Sequence, residues 1–261
     1  MGTVEDKVII VTGAARGLGA AIAKDLAAEG GKLVIADVKA DQAERVAGAI
    51  RDAGGQAIAV EVDVSRRDSV RSMIEKTVAE FGKLDVIFNN AGVSKVVPFL
   101  EIDDAEWDRT MKINAFGVLL CMQEAAQQMI KQGHGGKIIN TSSIGGKQGY
   151  PLFATYNASK FAVAALTQAG ARALGEHKIT VNCFGPGIVA TEMWEELDVE
   201  FREKGVFSEP NAAIKDYSST IILGRPATPT DVVGTTRFLA SAASDYMTGQ
   251  TVMIDGGMVL I

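Results

Sequence analysis

The sequence predicts an α/β domain in which a doubly wound parallel sheet of about seven strands carries helices on both faces. Three observations lead there. Short β-branched runs alternate along the chain with longer amphipathic patterns. Several runs are apolar almost throughout, such as VIIVT at Val8–Thr12 and LVIA at Leu33–Ala36, which suits strands covered on both faces. Glycines punctuate the expected helix ends, at Gly30 and Gly31, Gly54 and Gly55, and Gly82.

In chain order the strands are expected at Lys7–Thr12, Lys32–Ala36, Ala57–Glu61, Asp85–Phe88, Lys137–Ser142, Ile179–Phe184 and Gln250–Ile254. Helical patterns fill the intervals at Leu18–Glu29, Ala40–Ala53, Ser69–Phe81, Asp104–Lys131, Ala154–Gly175 and Pro229–Ala240. No repeat, low-complexity tract or linker breaks the series, so residues 1–261 read as one domain. The rhythm fails only over Thr191–Gly224, which is irregular and strongly charged. A segment that long inside a compact domain reads as a substrate-binding lid (residues 191–224).

The balance of residues narrows the partners. Net charge is −6, where a nucleic-acid binder of this size would usually be basic. No run of about 18 apolar residues occurs, so no membrane partner is expected. The stretch Met1–Asp6 carries two acids and no base, unlike a signal peptide. Cys121 and Cys183 lie far apart and read as buried free thiols, so a cytoplasmic protein is expected. With two histidines and no HExxH or His/Cys cluster, no metal is expected.

Directly after the first strand comes TGAARGLG, Thr12 to Gly19, opening into a helix. Gly13, Gly17 and Gly19 let the backbone turn tightly and approach a ligand, and the helix start offers free N–H groups to a pyrophosphate. The spacing is GxxxGxG, not the GxGxxG of the usual dinucleotide fingerprint. Asp37, about 20 residues on, ends the second strand where an acid can accept both adenosine ribose hydroxyls. It would repel a 2′-phosphate and favours NAD as the cofactor. Arg16 argues the other way, since its guanidinium could pair with that phosphate.

These motifs, with others further along, resemble the short-chain dehydrogenase/reductase family over the whole chain. TGAARGLG, with Arg16 and Leu18 between its glycines, is similar to the family's glycine motif. Asp63–Val64 resembles its adenine contact, and NNAG at Asn89–Gly92, with Asn90 and Ala91, the segment beside the cofactor. KINAFG places Asn114 where the family has a helix-breaking asparagine. NTSSIG places Ser143 at the catalytic serine, and YNASK supplies Tyr156 and Lys160. PGIVAT, with Pro186, Gly187, Val189 and Thr191, resembles the nicotinamide-contacting segment. The resemblance implies a Rossmann-like fold, a hydride transfer between carbonyl and alcohol, and a homotetramer. Blocks such as GHGGKIIN, PGIVATEMW and SDYMTGQ further resemble acetoin reductases (meso-2,3-butanediol dehydrogenases) and related polyol dehydrogenases.

Tyr156 and Lys160 are four apart in a helical pattern, hence one turn apart on one face. A nearby ammonium is expected to lower the phenol's pKa, so that Tyr156 serves as base toward an alcohol or acid toward a carbonyl. The resemblance implies that Lys160 also reaches the nicotinamide ribose, that Ser143 binds the substrate oxygen, and that Asn114 holds a water linking Lys160 to solvent. Alone, YxxxK is most often a surface pair and a serine after a strand a cap. Their order behind a complete cofactor half favours catalysis.

The lid carries Glu192, Glu195, Glu196, Asp198, Glu200, Glu203, Glu209 and Asp216 against few bases. Such a lid should disfavour acidic carriers and phosphorylated substrates, so a small neutral vicinal diol, acyloin or sugar alcohol is expected. Gln148 and Lys147 are candidates for a second hydroxyl, and Trp194 for an apolar cover. The apolar tail Val259–Ile261 is expected to pack against a neighbouring subunit or to close over its site. Three alternatives stay open: a 3-oxoacyl-carrier-protein-type or other carbonyl reductase of the same family, an NAD-sensing protein on the same fold, and a serine hydrolase. The last lacks GxSxG and a partner histidine.

Overall fold

The strand residues divide between two apolar layers, one on each face of the sheet, in a computed structural model that describes residues 2–260. Strand β1 (Val8–Thr12) sends Ile9 and Val11 to one layer and Ile10 to the other. The next, β2 (Lys32–Asp37), repeats this with Leu33 and Ile35 against Val34 and Ala36. Because side chains alternate along a strand, covering both faces requires the uninterrupted apolar runs seen in the sequence.

The remaining strands are β3 (Gln56–Glu61), β4 (Val86–Asn89), β5 (Gly136–Thr141), β6 (Ile179–Pro186) and β7 (Thr251–Ile254). All seven pair in parallel in the order β3-β2-β1-β4-β5-β6-β7. Helices α1 (Gly17–Ala28), α2 (Ala40–Asp52) and α9 (Pro229–Ala240) cover one face. The other is covered by α3 (Arg67–Phe81), α5 (Gly117–Gln132) and α6 (Ala154–Leu174). This is the doubly wound single sheet that the alternation predicts. The chain reverses direction across the sheet between β1 and β4, so their carboxyl ends flank the crevice where such folds bind ligands.

Two expectations about elements change. The pattern over Asp104–Lys131 is not one regular helix. Helix α4 (Asp104–Met111) passes through a π turn at Lys112–Phe116 before α5 begins. The Asn114 side chain bonds inward there, to the loop after β4, and a π turn is a common device for aiming such a residue. The segment 191–224 is not irregular either: it holds α7 (Glu192–Glu203) and α8 (Ala212–Ser218). Leu197, Phe201 and Ala213 bury these helices against Val96 and Phe153, an apolar set scattered through a charged stretch.

Val259 is buried within its own chain, because the Asp255 carboxylate accepts the N–H groups of Gly257 and Val259 and folds the end back. Leu260 is exposed, and Ile261 lies outside the described residues. Both cysteines are buried and free, with Cys121 pushed up to about 12 by burial. Among the described residues no helix is long and apolar enough to cross a membrane.

Candidate active site

A crevice of about 550 Å³ opens at the carboxyl ends of β1, β4, β5 and β6, within the size range of small-molecule and cofactor sites. At its cofactor end, the glycine turn is shaped by contacts that exclude side chains. A Cβ on Gly19 would fall 2.3 Å from the Gly13 carbonyl oxygen and 2.6 Å from Asn90 Nδ2. Gly13 has φ +64° and Gly17 φ +55°, the left-handed region that glycine adopts without strain. The Asn90 amide donates to the carbonyls of Thr12 and Gly13, at 3.0 and 3.2 Å. The Thr12 hydroxyl in turn accepts the N–H groups of Asn90 and Ala91. The NNAG segment and the turn therefore hold each other.

Helix α1 begins without a side-chain cap and has no acid in its first turn. Its N–H groups and positive dipole end stay available to an anion, which fits a dinucleotide pyrophosphate. Asp37, at the end of β2, accepts the N–H groups of Ala15 and Lys39 at 3.1 and 3.0 Å. Its carboxylate is thereby fixed at the rim of the crevice. Asp63 accepts both the N–H and the hydroxyl of Ser65, so its loop closes on itself beside Val64. Gly13, Arg16, Gly17, Leu18, Gly19, Asp37, Asp63, Val64, Asn90, Ala91 and Gly92 all line this cavity, as do Pro186, Gly187, Val189 and Thr191 across it. The Arg16 guanidinium forms a bidentate pair with Glu196 of α7, with Nη2 to Oε2 at 2.8 Å.

Ser143, Tyr156 and Lys160 converge on the same cavity. Ser143 follows β5, and its hydroxyl accepts the Gly145 N–H at 3.1 Å. Lys160 is buried, with Nζ 5.5 Å from the centre of the Tyr156 ring. Its ammonium donates to the Thr141 carbonyl at 2.8 Å. Burial pulls Lys160 down to about 8. The phenol of Tyr156 is raised, not lowered as expected. Desolvation at the crevice wall outweighs the Ser143 hydrogen bond, which lowers it, and Lys160 sits beside the ring and not on the hydroxyl.

Asn114 is fully buried but does not line the cavity. Both amide hydrogens are committed, to the Val93 carbonyl and the Ser159 hydroxyl, and Oδ1 accepts from Val93 N–H. Its side chain splices the loop after β4 to α6. A water toward Lys160 has only the second lone pair of Oδ1 or a main-chain group to hold it.

At the substrate end Trp194 lines the cavity and packs on Tyr217, with ring centres 5.8 Å apart. Gln148 is exposed and does not line it, and Lys147 does not either. Tyr150 lines the cavity instead. Sequence reasoning missed Tyr150, Phe153 and Tyr217; the Tyr217 ring packs tilted on Tyr150 at 6.4 Å and edge-on to Phe153 at 6.0 Å between ring centres. They come from two distant segments with no shared motif. The acids of segment 191–224 are partly spent inside the fold. Glu200 accepts the Val96 N–H, and Asp198 accepts from Arg202 and the Asn211 N–H. Glu195, Glu203, Glu209 and Asp216 remain exposed. Among the described residues no cluster of acids, histidines and cysteines could hold a metal ion.

A glycine turn at a helix start, a strand-end carboxylate and a Ser–Tyr–Lys set thus line one crevice. Residues 7–200 match the family described as short chain dehydrogenase, and the chain belongs to that family. It is 43% identical over 253 residues to the diacetyl reductase [(S)-acetoin forming] of Staphylococcus epidermidis strain ATCC 12228, covering 97% of this chain and 98% of that one. It is 40% identical over 256 residues to the L-2,3-butanediol dehydrogenase of Corynebacterium glutamicum, with 97% and 98% covered. The crystal structure of a short-chain type dehydrogenase/reductase from Mycobacterium marinum superposes with a TM-score of 0.90 at 35% identity, covering 99% and 97% of the two chains.

Proposed function

We propose that the protein interconverts a secondary alcohol and a ketone with NAD(H), acting on a small neutral vicinal diol or acyloin, or on a sugar alcohol. The observation that carries this is the convergence of Ser143, Tyr156 and Lys160 on the crevice whose far rim holds Asp37. Bound there, the nicotinamide would supply or take the hydride. Tyr156 exchanges the proton with the substrate oxygen, and Ser143 donates to that oxygen as charge develops on it. Lys160 places its positive charge beside the phenol and toward the nicotinamide ribose. The aromatic wall of Tyr150, Phe153, Trp194 and Tyr217 keeps water from the reacting carbon.

NAD is favoured over NADP because Asp37 holds a fixed negative charge where a 2′-phosphate would lie, while Arg16 is engaged by Glu196. The diol and acyloin class is favoured by the enzymes that this chain is similar to, and by a substrate end with aromatic walls and no free basic side chain among the described residues lining it. A homotetramer is supported by Trp107, Phe116 and Phe161, which α4, the π turn and α6 leave 45 to 47% exposed. Two buried free thiols suit a cytoplasmic setting.

Absorbance at 340 nm tests the assignment, with NAD and NADP offered separately against butanediol isomers, acetoin, sorbitol and galactitol. NAD-linked turnover of a vicinal diol, absent in Tyr156→Phe, is the expected result. Turnover with NADP alone overturns the cofactor choice. Inactivity on the whole panel overturns the substrate class.

A further inference from the structure

Two carboxylates of the lid helix α7, one turn apart, face the phosphate-binding turn. Glu196 takes both ends of the Arg16 guanidinium, and a Cβ on Gly17 would lie 3.3 Å from Glu192 Oε2. The Arg16–Glu196 pair joins residues 180 apart in the chain, on opposite sides of the crevice mouth. Lys39 stands near enough for its charge to act on Glu196, and Asp37 near enough to act on Arg16. The corner beyond β2 thus holds two cations, Arg16 and Lys39, and three anions, Asp37, Glu192 and Glu196.

A guanidinium fork matches a carboxylate or a phosphate in the same bidentate way, and one fork serves one partner at a time. Arg16 is placed in the turn, beside the carboxylate that marks the adenosine ribose. Left free, it would offer a 2′-phosphate the geometry that Asp37 denies it by charge.

We propose that Glu196 is a cofactor-specificity residue, which withholds Arg16 from a 2′-phosphate by holding its guanidinium from across the crevice. This rests on the reading that Asp37 faces the adenosine ribose. Discrimination then has two parts on two elements: repulsion by Asp37 on β2, and sequestration by Glu196 on α7. Because the pair also ties the lid to the turn, a 2′-phosphate that captured Arg16 would release the first turns of α7, next to Trp194. The wrong cofactor would loosen the substrate cover as it bound.

Calorimetric titration of the intact protein with adenosine 2′,5′-bisphosphate and with 5′-AMP tests this without turnover. Glu196→Gln should tighten the bisphosphate by about three- to tenfold, the scale of an exposed charge-assisted contact, and leave 5′-AMP within about twofold. The gain should vanish in Arg16→Gln/Glu196→Gln. Equal tightening of both probes means that Glu196 merely repels anions, and overturns the proposal. So does a gain that survives loss of Arg16, or no change at all. The NAD reading is judged separately: it fails if the wild-type protein binds the bisphosphate as tightly as 5′-AMP. The shift on Glu196→Gln decides the Glu196 role in either case.

Discussion

The ammonium of Lys160 donates to the main-chain carbonyl of Thr141 at 2.8 Å, tying the middle of α6 to the last residue of β5. This bond holds a buried charge at the point where strand and helix meet the crevice. The fold carries that charge at a cost, and the cost has a pH signature. Lys160 falls from 10.5 to about 8, which corresponds to about 3 kcal/mol against the folded state when both states are protonated. Below pH 8 the penalty is complete. Between about 8 and 10.5 the unfolded chain binds more protons than the folded one, so stability rises with pH in that window. Lys160→Met should therefore be more stable than wild type at pH 7, by about 1–2 kcal/mol once the lost Thr141 bond is counted. Denaturant melts at pH 7 and 10 should show the gain shrinking at the higher pH, in a protein without activity.

In the proposed mechanism Tyr156 is the base in alcohol oxidation and the acid in ketone reduction. The value of kcat/KM for oxidation should fall as pH drops, while that for reduction falls as pH rises. Since the Ser143 hydroxyl lowers the phenol, Ser143→Ala should move both limbs to higher pH besides slowing turnover about a hundredfold. A pH profile unchanged in position would separate Ser143 from the phenol.

Asn90 supplies the donors for two carbonyls of the glycine turn. Asn90→Ala leaves both unpaired and should cost about 1–3 kcal/mol of stability. The Kd for NAD should weaken about tenfold or more, because the turn loses its preformed shape. Thermal melting and isothermal titration measure the two effects.

Trp194 and Trp107 are the chain's two indoles, and Trp194 lines the crevice. Trp194→Ala should raise KM for the alcohol about tenfold, while the Kd for NAD stays within about twofold. Any fluorescence change on adding substrate to the NAD complex should disappear with it. A retained signal would assign that change to Trp107.

The expected homotetramer has a direct check. Sedimentation at micromolar concentration should give four copies of the chain, and Phe161→Glu on the exposed side of α6 should shift it toward smaller species. A wild-type monomer would remove the assembly.

Strand runs, helix periods and glycine turns were legible because each depends on residues near one another in the chain. The spacing of Tyr156 and Lys160 puts them on one helical face whatever surrounds them. Gly13, Gly17 and Gly19 impose a turn that Asn90 completes, and Asp37 follows from its spacing beyond that turn at the end of a strand. The helix break was legible only as a motif at Asn114, since the π turn depends on bonds to Val93 and Ser159 made by folding. Tyr150, Phe153 and Tyr217 meet through the packing of α8 on the loop after β5, which no local period encodes. The direction of the Tyr156 shift is likewise tertiary: spacing brings an ammonium near, but burial decides how much each charge costs. Local chemistry thus determined the frame and the order of the motifs along it. Partners far apart in the chain, Arg16 with Glu196 above all, were decided by the fold, because charges and rings act over distances in space that sequence separation does not measure.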